Sequence, residues 1–310
     1  VIIDSLFGAG LARPIEGSAA EVLSRAAEME LTSVAVDLPS GINGNTGEAL
    51  GTVLPATETV TFFRKKPGHL LYPGRGLCGD ISVVDIGIPS DVLEQIAPTI
   101  QENSPADWAH QLTATASPTS HKYTRGHLVI VGGEKMTGAA RIAATSARRA
   151  GAGLVTLAVP ETSFDIYASD DPGNLIESRT DFAACITDKR RRTVLLGPGL
   201  GIGQENRELV LSALMGGERC VILDADALTS FADDPAELFN AIQGPVIMTP
   251  HDGEFARLFD TDSDKLSRAR NAAKKANAVI VLKGADTVIA APDGRTRINA
   301  NAPPWLATAG

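Results

Sequence analysis

The amino-acid sequence predicts an α/β fold built on parallel or mostly parallel sheets. Short apolar runs that suit buried strands alternate with segments whose small and apolar residues recur at helical spacing. Nearly every one of these runs ends in Gly, Asp, His or Lys. Ligands of such folds bind beyond the carboxyl ends of the strands. The residues that follow each predicted strand are therefore the candidates for function.

The composition argues against some classes of partner. Of the 310 residues, 44% are hydrophobic and 21% are charged, which is typical of a globular protein. A formal net charge of −9 argues against general binding to nucleic acid or to an acidic membrane surface. Cys78, Cys185 and Cys220 match no disulfide or metal spacing, and the sequence shows neither a membrane-spanning run nor a signal peptide. We expect a reduced, cytoplasmic setting.

The length allows one large domain or two ordinary ones. Residues 98–120 are rich in Pro, Ser, Thr and Ala, and the strand–helix alternation restarts after them, so they predict a linker. A surface loop within a single domain would have the same composition. The chain begins without Met inside an apolar run and stops soon after a Pro-rich segment, so we expect it to be an excerpt of a longer protein.

The first half predicts strands that end in polar side chains. Asp4 follows the first strand and precedes a glycine loop at 7–14, whereas Asp37 and Ser40 follow the second strand. Their oxygens suit a hard cation, and the backbone N–H groups of the loop suit phosphate. Aspartates that only cap helices would produce the same pattern. The predicted elements are strands over 1–3, 33–36, 58–63 and 81–85, and a helix over 19–28 with Ser18 as its N-cap.

The second half predicts a longer series of the same kind. It opens with a strand over 127–131, the turn Gly132-Gly133 and a helix over 137–149 whose alanines leave a thin face toward the sheet. Such a unit can bring backbone N–H groups to an anionic ligand, although an ordinary strand–helix unit has the same pattern. Further strands are predicted over 153–159, 193–196, 220–223, 246–248 and 278–282, followed by an antiparallel pair over 287–291 and 296–299.

Four groups of residues in the second half could carry chemistry. The glycine loop at 197–201 lets a ring or a phosphate approach the backbone. Asp224 and Asp226 have a spacing that suits two ligands of Mg²⁺. His251 can bind substrate or transfer a proton, and Lys283 can meet a phosphate. Each group also has a structural explanation as a tight turn, a helix cap, a loop histidine or a solvated lysine.

Twelve short motifs carry a resemblance to a known family. In the second half they are KYTRG (122–126), GGEKMTGAA (132–140), RAGAGLV (149–155), GPGLG (197–201), LDADAL (223–228), TPHDGEFARL (249–258), LKGADTVI (282–289) and INANAPPWLATAG (298–310). In the first half they are DSLFGAGLARP (4–14), VAVDLPSGINGNTG (34–47), TVTFFRKKPG (59–68) and DIGIP (85–89).

With these motifs, the second half resembles the ADP- or ATP-dependent NAD(P)H-hydrate dehydratases of the ribokinase-like superfamily. The first half resembles the C-terminal part of the NAD(P)H-hydrate epimerase domain. The order of the two matches the bifunctional nicotinamide nucleotide repair proteins. The resemblance implies a partial Rossmann-like epimerase module over 1–97, a linker over 98–120, and a ribokinase-like α/β module with a mostly parallel central sheet over 121–310.

The resemblance also implies a repair reaction on NADH or NADPH that carries water added across a ring double bond. The epimerase would interconvert the R and S hydrates (NADHX and NADPHX). The dehydratase would use ADP or ATP to remove water from the S form. The implied cofactors are ADP or ATP, Mg²⁺ and K⁺. The expected partners are these small molecules, without nucleic acid or membrane, in a homo-oligomer.

Site residues carry over at matching positions of the motifs. Asp4 and Ser40 would hold potassium, Asp224 and Asp226 are candidates for magnesium, and His251 is the candidate catalytic residue. The hydrate contacts would be Gly8, Ala9, Gly10, Leu11, Ala12, Arg13, Pro14 and Asp37 in the first half, and Ala139, Gly199 and His251 in the second. The adenine nucleotide would lie along Lys283, Gly284, Ala285, Asp286, Thr287 and Gly310.

Two other functions stay open from the sequence. A ribokinase-like, ATP-dependent kinase of a small vitamin precursor would use the same glycine and lysine sites. A non-catalytic nucleotide-binding module would keep these sites without turnover. The family's general-base aspartate belongs to a G-x-G-D motif that is expected beyond Gly310. Asp252 stands where the family usually has Pro.

Overall fold

The computed structural model describes residues 1–111, 117–303 and 305. Within these residues the strands form two separate sheets. Most strand pairs are parallel, which confirms the predicted α/β class with mostly parallel sheets. None of the helices in the described parts of the chain is both long and apolar enough to cross a membrane.

The first sheet holds four parallel strands in chain order, as far as the described residues show. Because all four strands run the same way, Asp4 at the end of β1 and Asp37 directly after β2 lie at the same edge. The strands are β1 (Ile2–Asp4), β2 (Ser33–Val36), β3 (Glu58–Phe62) and β4 (Asp80–Val84), and the helices of this half are α1 (Gly17–Glu28), α2 (Gly74–Leu77) and α3 (Val92–Ile96).

The second sheet has the order β5-β14-β13-β12-β11-β10-β9-β6-β7-β8 in the described part of the chain. Its strands are β5 (Ile100–Glu102), β6 (His127–Val131), β7 (Leu154–Val159), β8 (Leu175–Ser178), β9 (Thr193–Leu196), β10 (Cys220–Leu223), β11 (Val246–Met248), β12 (Val279–Leu282), β13 (Thr287–Ala290) and β14 (Thr296–Asn299). Only the pairs β12–β13 and β13–β14 are antiparallel among those described, as expected for the predicted hairpin.

Helices alternate with the strands of the second sheet. They are α4 (Pro105–Trp108), α5 (Thr137–Arg149), α6 (Phe164–Ala168), α7 (Phe182–Cys185), α8 (Gln204–Leu214), α9 (Asp226–Thr229), α10 (Pro235–Ala241), α11 (Asp252–Leu258) and α12 (Lys265–Ala276). The thin alanine face predicted for α5 is confirmed, because Ala140 and Ala144 are fully buried and pack with Ile130 and Leu157 of the sheet. Small side chains let the helix lie close to β6 and β7.

The segment 98–120, which the sequence predicts to be a linker, is in part a strand of the second sheet. β5 pairs in parallel with β14, and the neighbouring amides of Thr296 and Asn103 donate to the carbonyls of Thr99 and Ile298 at 2.7 and 2.8 Å. Ile100 packs against the core and holds the segment to the sheet. Residues 112–116 lie outside the described part of the chain. A division into two modules here stays a prediction.

The predicted cap of the first helix is wrong. α1 begins at Gly17 with Glu16 as its N-cap, so Ser18 lies within the first turn. The cause lies just before the helix. Ile15 is buried and forms a β-bridge with Gly51, and this pairing fixes the position at which the helix begins.

Candidate functional site

Five adjacent strands end at one edge of the second sheet. β12, β11, β10, β9 and β6 are neighbours in that order and pair in parallel. The segments that follow them therefore lie side by side. These segments are the turn at Gly132 and Gly133, the glycine loop 197–201, the aspartates 224 and 226, the histidine segment 249–254 and the loop 283–287. The structure thus brings together the second-half groups that the sequence singles out.

The glycine segments at this edge touch backbone to backbone. A Cβ atom on Gly133 would lie 1.7 Å from the carbonyl oxygen of Gly199, and one on Gly199 would lie 2.3 Å from that of Met136. A Cβ on Gly197 would lie 1.7 Å from the carbonyl oxygen of Asp224. Met136 is the N-cap of α5, and Ala139 lies half-buried in the first turn of that helix. Through Met136, these contacts bring the predicted hydrate-pocket residue Gly199 to the start of the helix that carries Ala139. We call this contact of Gly133 and Gly199 the glycine wall.

Asp224 connects three strand ends. Its Oδ1 accepts hydrogen bonds from Thr249 Oγ1 and from Lys283 Nζ, both at 2.7 Å. Lys283 Nζ also lies 3.9 Å from Glu254 Oε2. The lysine side chain is 40% exposed. Its ammonium is therefore fixed by Asp224 and still open to a phosphate from solvent.

His251 is the N-cap of helix α11. Its Nδ1 accepts from the amides of Gly253 and Glu254 at 2.9 and 3.3 Å, while its own amide donates to Glu254 Oε2 at 2.9 Å. A capping Nδ1 is an acceptor, so the neutral ring carries its proton on Nε2. Nε2 lies 3.3 Å from Glu254 Oε1, and the side chain is 58% exposed. The outer edge of the ring is thus open to a substrate, and the cap explains the Pro-His-x-Gly-Glu sequence.

The candidate magnesium residues are partly engaged by the protein. Asp226 Oδ2 accepts from the amide of Gly201 at 2.8 Å, as Asp224 Oδ1 accepts from Thr249 and Lys283. Across residues 1–111, 117–303 and 305, no three His, Cys, Asp or Glu side chains group closely enough to hold a metal ion. Two carboxylates that share a site with phosphate oxygens still match the donors that Mg²⁺ takes. A magnesium site here stays a prediction.

The loop 283–287 is ordered by its own contacts. The amide of Gly284 donates to Thr287 Oγ1 at 3.2 Å, and this hydroxyl donates to the carbonyl of Gly284 at 3.0 Å. Asp286 is 6% exposed, and its two carboxylate oxygens face Lys265 and the amide of Tyr72. Gly310, the remaining residue predicted to bind nucleotide, lies outside the described residues.

In the first half, Asp4 and Ser40 form a buried pair. Asp4 Oδ2 accepts from the amide of Ser40 at 2.8 Å, and its Oδ1 accepts from Ser40 Oγ at 2.6 Å. Ser40 Oγ in turn accepts from the amide of Phe7 at 2.9 Å and lies 3.3 Å from the Phe7 carbonyl oxygen. Carboxylate, hydroxyl and carbonyl oxygens are the donor set of a hard cation. The residues present therefore fit potassium, which stays a prediction.

Asp37 is the centre of a second cluster at the same edge. Its Oδ1 accepts from Thr61 Oγ1 at 2.8 Å and from Lys66 Nζ. Burial opposes ionisation of this carboxyl, but the hydrogen bonds from Lys66 and Thr61 outweigh it, so the pKa of Asp37 is below its ordinary value. His69 Nδ1 accepts from the amide of Lys66 at 2.8 Å, and its Nε2 donates to the Asp37 carbonyl at 2.7 Å. The carboxylate is therefore held ionised.

The glycine loop 7–14 lies beside this cluster. A Cβ on Gly8 would lie 3.8 Å from Asp37 Oδ2, and the amide of Leu11 donates to the Gly8 carbonyl at 3.2 Å. The exposed members of the loop are Phe7, Gly8, Gly10, Ala12, Arg13 and Pro14, whereas Ala9 and Leu11 are half-buried. The structure thus brings the loop and Asp37 together, as predicted for a hydrate contact, and leaves the loop open to solvent.

Sequence reasoning did not single out Lys66, His69 or Thr61. Lys66 belongs to the motif TVTFFRKKPG, but nothing in its spacing indicates that it reaches Asp37, which lies 29 positions earlier. Thr61 is buried in β3, which looks like an ordinary strand residue. A signal for Thr61 was present in the sequence, because Thr61 is a polar residue inside a predicted strand that neighbours the strand before Asp37.

The buried histidines make stability depend on pH. Burial lowers the pKa of His69 and the pKa of His127, so the unfolded chain binds protons near neutral pH that the native protein does not. We expect the free energy of unfolding to fall as the pH is lowered below about 6.5, by at most about 1.4 kcal/mol per pH unit for each histidine.

Denaturant titrations over this pH range check the prediction. The variant His69→Asn, which keeps an acceptor for the Lys66 amide, should show a shallower fall, whereas exposed His110→Asn should match the unaltered protein. An identical pH dependence in the His69 variant would contradict it.

The chain is similar to known proteins in both sequence and structure. The sequence profile of the NAD(P)H-hydrate dehydratase family matches residues 127–310, and that of the YjeF-related protein N-terminus matches residues 1–68. The bifunctional NAD(P)H-hydrate repair enzyme Nnr of Moorella thermoacetica is 36% identical over 330 aligned positions, which cover 100% of this chain and 61% of that protein. Its Escherichia coli counterpart is 34% identical, covering 97% and 58%. The chain thus spans about 61% of the first of these relatives.

Solved structures agree with the sequence profiles. The ADP/ATP-dependent NAD(P)H-hydrate dehydratase of Bacillus subtilis, co-crystallised with ATP and Mg²⁺, matches with a TM-score of 0.54 and 30% identity, covering 63% of this chain and 71% of that one. A ribokinase-like superfamily protein of Enterococcus faecalis matches with a TM-score of 0.60 at 23% identity, covering 68% and 75%, and shows the shared fold. The predicted ribokinase-like architecture is confirmed. On the profile that covers more than half of its length, the chain belongs to the NAD(P)H-hydrate dehydratase family.

Proposed function

We propose that this protein repairs hydrated nicotinamide nucleotides. The second module, 121–310, removes water from (S)-NADHX or (S)-NADPHX with ADP or ATP, and the first, 1–97, interconverts the R and S hydrates. The observation that carries the proposal is the row of five parallel strand ends. It sets a glycine wall, a fixed lysine and an open histidine at one edge, in a chain whose relatives are named as repair enzymes.

The dehydration needs a better leaving group than hydroxide. Transfer of the terminal phosphoryl group of ADP to the ring hydroxyl gives AMP and a phosphate ester. The ring nitrogen then supplies the electron pair that expels phosphate. Loss of a proton from the ring carbon next to the one that carried the phosphate restores the double bond. The balance is ADP plus hydrate to AMP, phosphate and NADH or NADPH. Such a reaction requires that phosphate charge be neutralised in fixed geometry.

Residues at the sheet edge can meet these requirements. Lys283, held by Asp224 at 2.7 Å, supplies a positive charge for the nucleotide phosphates, and the amides of 283–287 lie beside it. Asp224 and Asp226 would hold Mg²⁺, which would shield phosphate charge when bound. The His251 side chain is 58% exposed beside Glu254, where its ring can hydrogen-bond the hydrate or move a proton. The close contact between Gly133 and Gly199 holds the ends of β6 and β9 together beside these groups.

Residues of the first module suit binding of the hydrate. The ionised Asp37, fixed by Lys66 and Thr61, can accept a hydrogen bond from a hydrate that lies against the loop 7–14. Asp4 and Ser40 would hold K⁺, which would organise that loop when bound. We place the protein in the cytoplasm, because its expected substrates are cytoplasmic cofactors, and the homo-oligomer stays a prediction.

The direct test is recovery of NADH from its S hydrate. The protein is given (S)-NADHX with ADP or with ATP, and NADH absorbance is followed. We expect recovery that depends on the adenine nucleotide, and adding the R hydrate reports the epimerase step. Phosphorylation of a vitamin alcohol without hydrate turnover would instead indicate the kinase alternative.

Lys283 can be tested by removing its charge. Lys283→Met should reduce kcat/KM for ADP by about a hundredfold, because one charge-assisted phosphate contact of roughly 1.5–3 kcal/mol is lost together with the Asp224 pair. Exposed Lys189→Met is the matched control and should not change these kinetics. An unchanged KM and kcat for ADP in the Lys283 variant would contradict the role.

His251 needs a variant that separates chemistry from capping. Asparagine is a good N-cap, so His251→Asn keeps an acceptor for the first turn of α11 but lacks the imidazole. We expect hydrate turnover to fall by roughly a hundredfold with an unaltered melting temperature. Turnover equal to that of the unaltered protein would show that His251 only caps the helix.

A further inference from the structure

One segment of the first module reaches both candidate sites. We call residues 65–75 the bridging segment. Leu70 and Leu71 are 5% and 1% exposed and belong to the same continuous hydrophobic core as the strands of the second sheet. Lys65 Nζ lies 3.0 Å from Glu102 Oε2, beside β5. The bridging segment is therefore packed into the second sheet by apolar contacts as well as by an ion pair.

The bridging segment also bonds to Asp286 and Ala285 in the loop 283–287. Asp286 Oδ2 accepts from the amide of Tyr72 at 2.8 Å, and its Oδ1 lies 2.5 Å from Lys265 Nζ. Arg75 Nη1 donates to the carbonyl of Ala285 at 3.1 Å. Two consecutive residues of the loop 283–287 are thus bonded to residues that lie 210 or more positions earlier in the chain.

Both oxygens of the Asp286 carboxylate are already engaged within the protein. Lys265 is the first residue of α12, where the helix dipole disfavours a cation, and its side chain is only 14% exposed. Burying such a lysine requires a charged partner, and Asp286 supplies it. The carboxylate therefore balances Lys265 and holds Tyr72, while the backbone of the loop and Lys283 stay on the side of the sheet edge.

At its other end the bridging segment supports the Asp37 cluster. Lys66 and His69 bind the carboxylate and the carbonyl of Asp37. A Cβ on Gly68 would lie 2.6 Å from the carbonyl oxygen of Asn43, and one on Gly44 would lie 2.8 Å from that of Ala9 in the glycine loop. Contacts this close leave the two backbones little freedom to shift independently. A displacement of the bridging segment therefore also displaces the loop 7–14.

We propose that Asp286 is a positioning residue that fastens the nucleotide loop 283–287 to the bridging segment, so that ADP bound at the loop also stabilises the surroundings of Asp37. The inference rests on the proposed nucleotide site of the second module. Coupling between two sites is reciprocal, so a hydrate bound beside Asp37 strengthens ADP binding by the same factor. The two modules then respond to each other's ligands without exchanging an intermediate.

Hydrogen–deuterium exchange tests the proposal without turnover. The full chain is exchanged with and without ADP, and amides in 283–287 and in 70–76 are followed. We expect ADP to slow exchange in both segments, by about fivefold or more in 70–76. Slowing in 283–287 alone would overturn the coupling and leave the proposed function intact. No slowing in either segment would overturn the proposed nucleotide site and the coupling with it.

Variants identify the contacts responsible. Asp286→Ala should abolish the effect of ADP on 70–76. Arg75→Ala, which changes only the first module, should weaken ADP binding by about fivefold in titration calorimetry. The controls are Asp293→Asn and Arg25→Ala, whose side chains are exposed and pair only with near neighbours in the described structure. ADP affinity unchanged in Arg75→Ala, with exchange in 70–76 still slowed in Asp286→Ala, would overturn the assignment of Asp286.

Discussion

Close approach of backbone to backbone is the constraint on which the second site depends. Gly133, Gly197 and Gly199 each stand where a Cβ would lie within 2.3 Å of a carbonyl oxygen. A side chain at any of them would push the ends of β6, β9 and β10 apart. It would also increase the distance between the glycine wall and Asp224. The pair of Asp224 with Lys283 then extends the same edge to β12. Backbone packing therefore sets the positions of the charged groups at this edge.

Charge is organised around carboxylates that already have partners. Asp224 fixes Lys283, Asp37 is fixed by Lys66, and Asp286 is shared by Lys265 and Tyr72. A partly exposed lysine that is held in place loses less side-chain entropy when it meets a phosphate than a freely moving one. In a chain of net charge −9, such local placement is what the proposed binding of an anionic nucleotide requires.

Strand positions and strand-end residues could be read from the sequence because both depend on local pattern. The strands over 33–36, 193–196, 220–223, 246–248 and 296–299 match the structure at both ends. The glycine loops and Asp224 were also found, since turn chemistry after an apolar run is visible in one sequence. The pairing of Asp224 with Lys283 was not, because 59 residues separate them and only the strand order brings them together.

Contacts set by tertiary packing were beyond such reasoning. Lys66 and His69 belong to a short Pro-Gly segment with no periodicity, so nothing local indicates that they bind Asp37. The predicted linker contains β5 because Ile100 packs against the core. The composition of the segment cannot reveal this contact. Asp286 was expected at the nucleotide because of its motif, whereas its carboxylate faces Tyr72, 214 residues away.

A crystal structure of the protein with ADP would show where the nucleotide binds. We expect its phosphates beside Lys283 and the backbone of Gly284, with Asp286 still bound to the Tyr72 amide. ADP bound at the loop 7–14, or anywhere away from the edge formed by β12, β11, β10, β9 and β6, would contradict it.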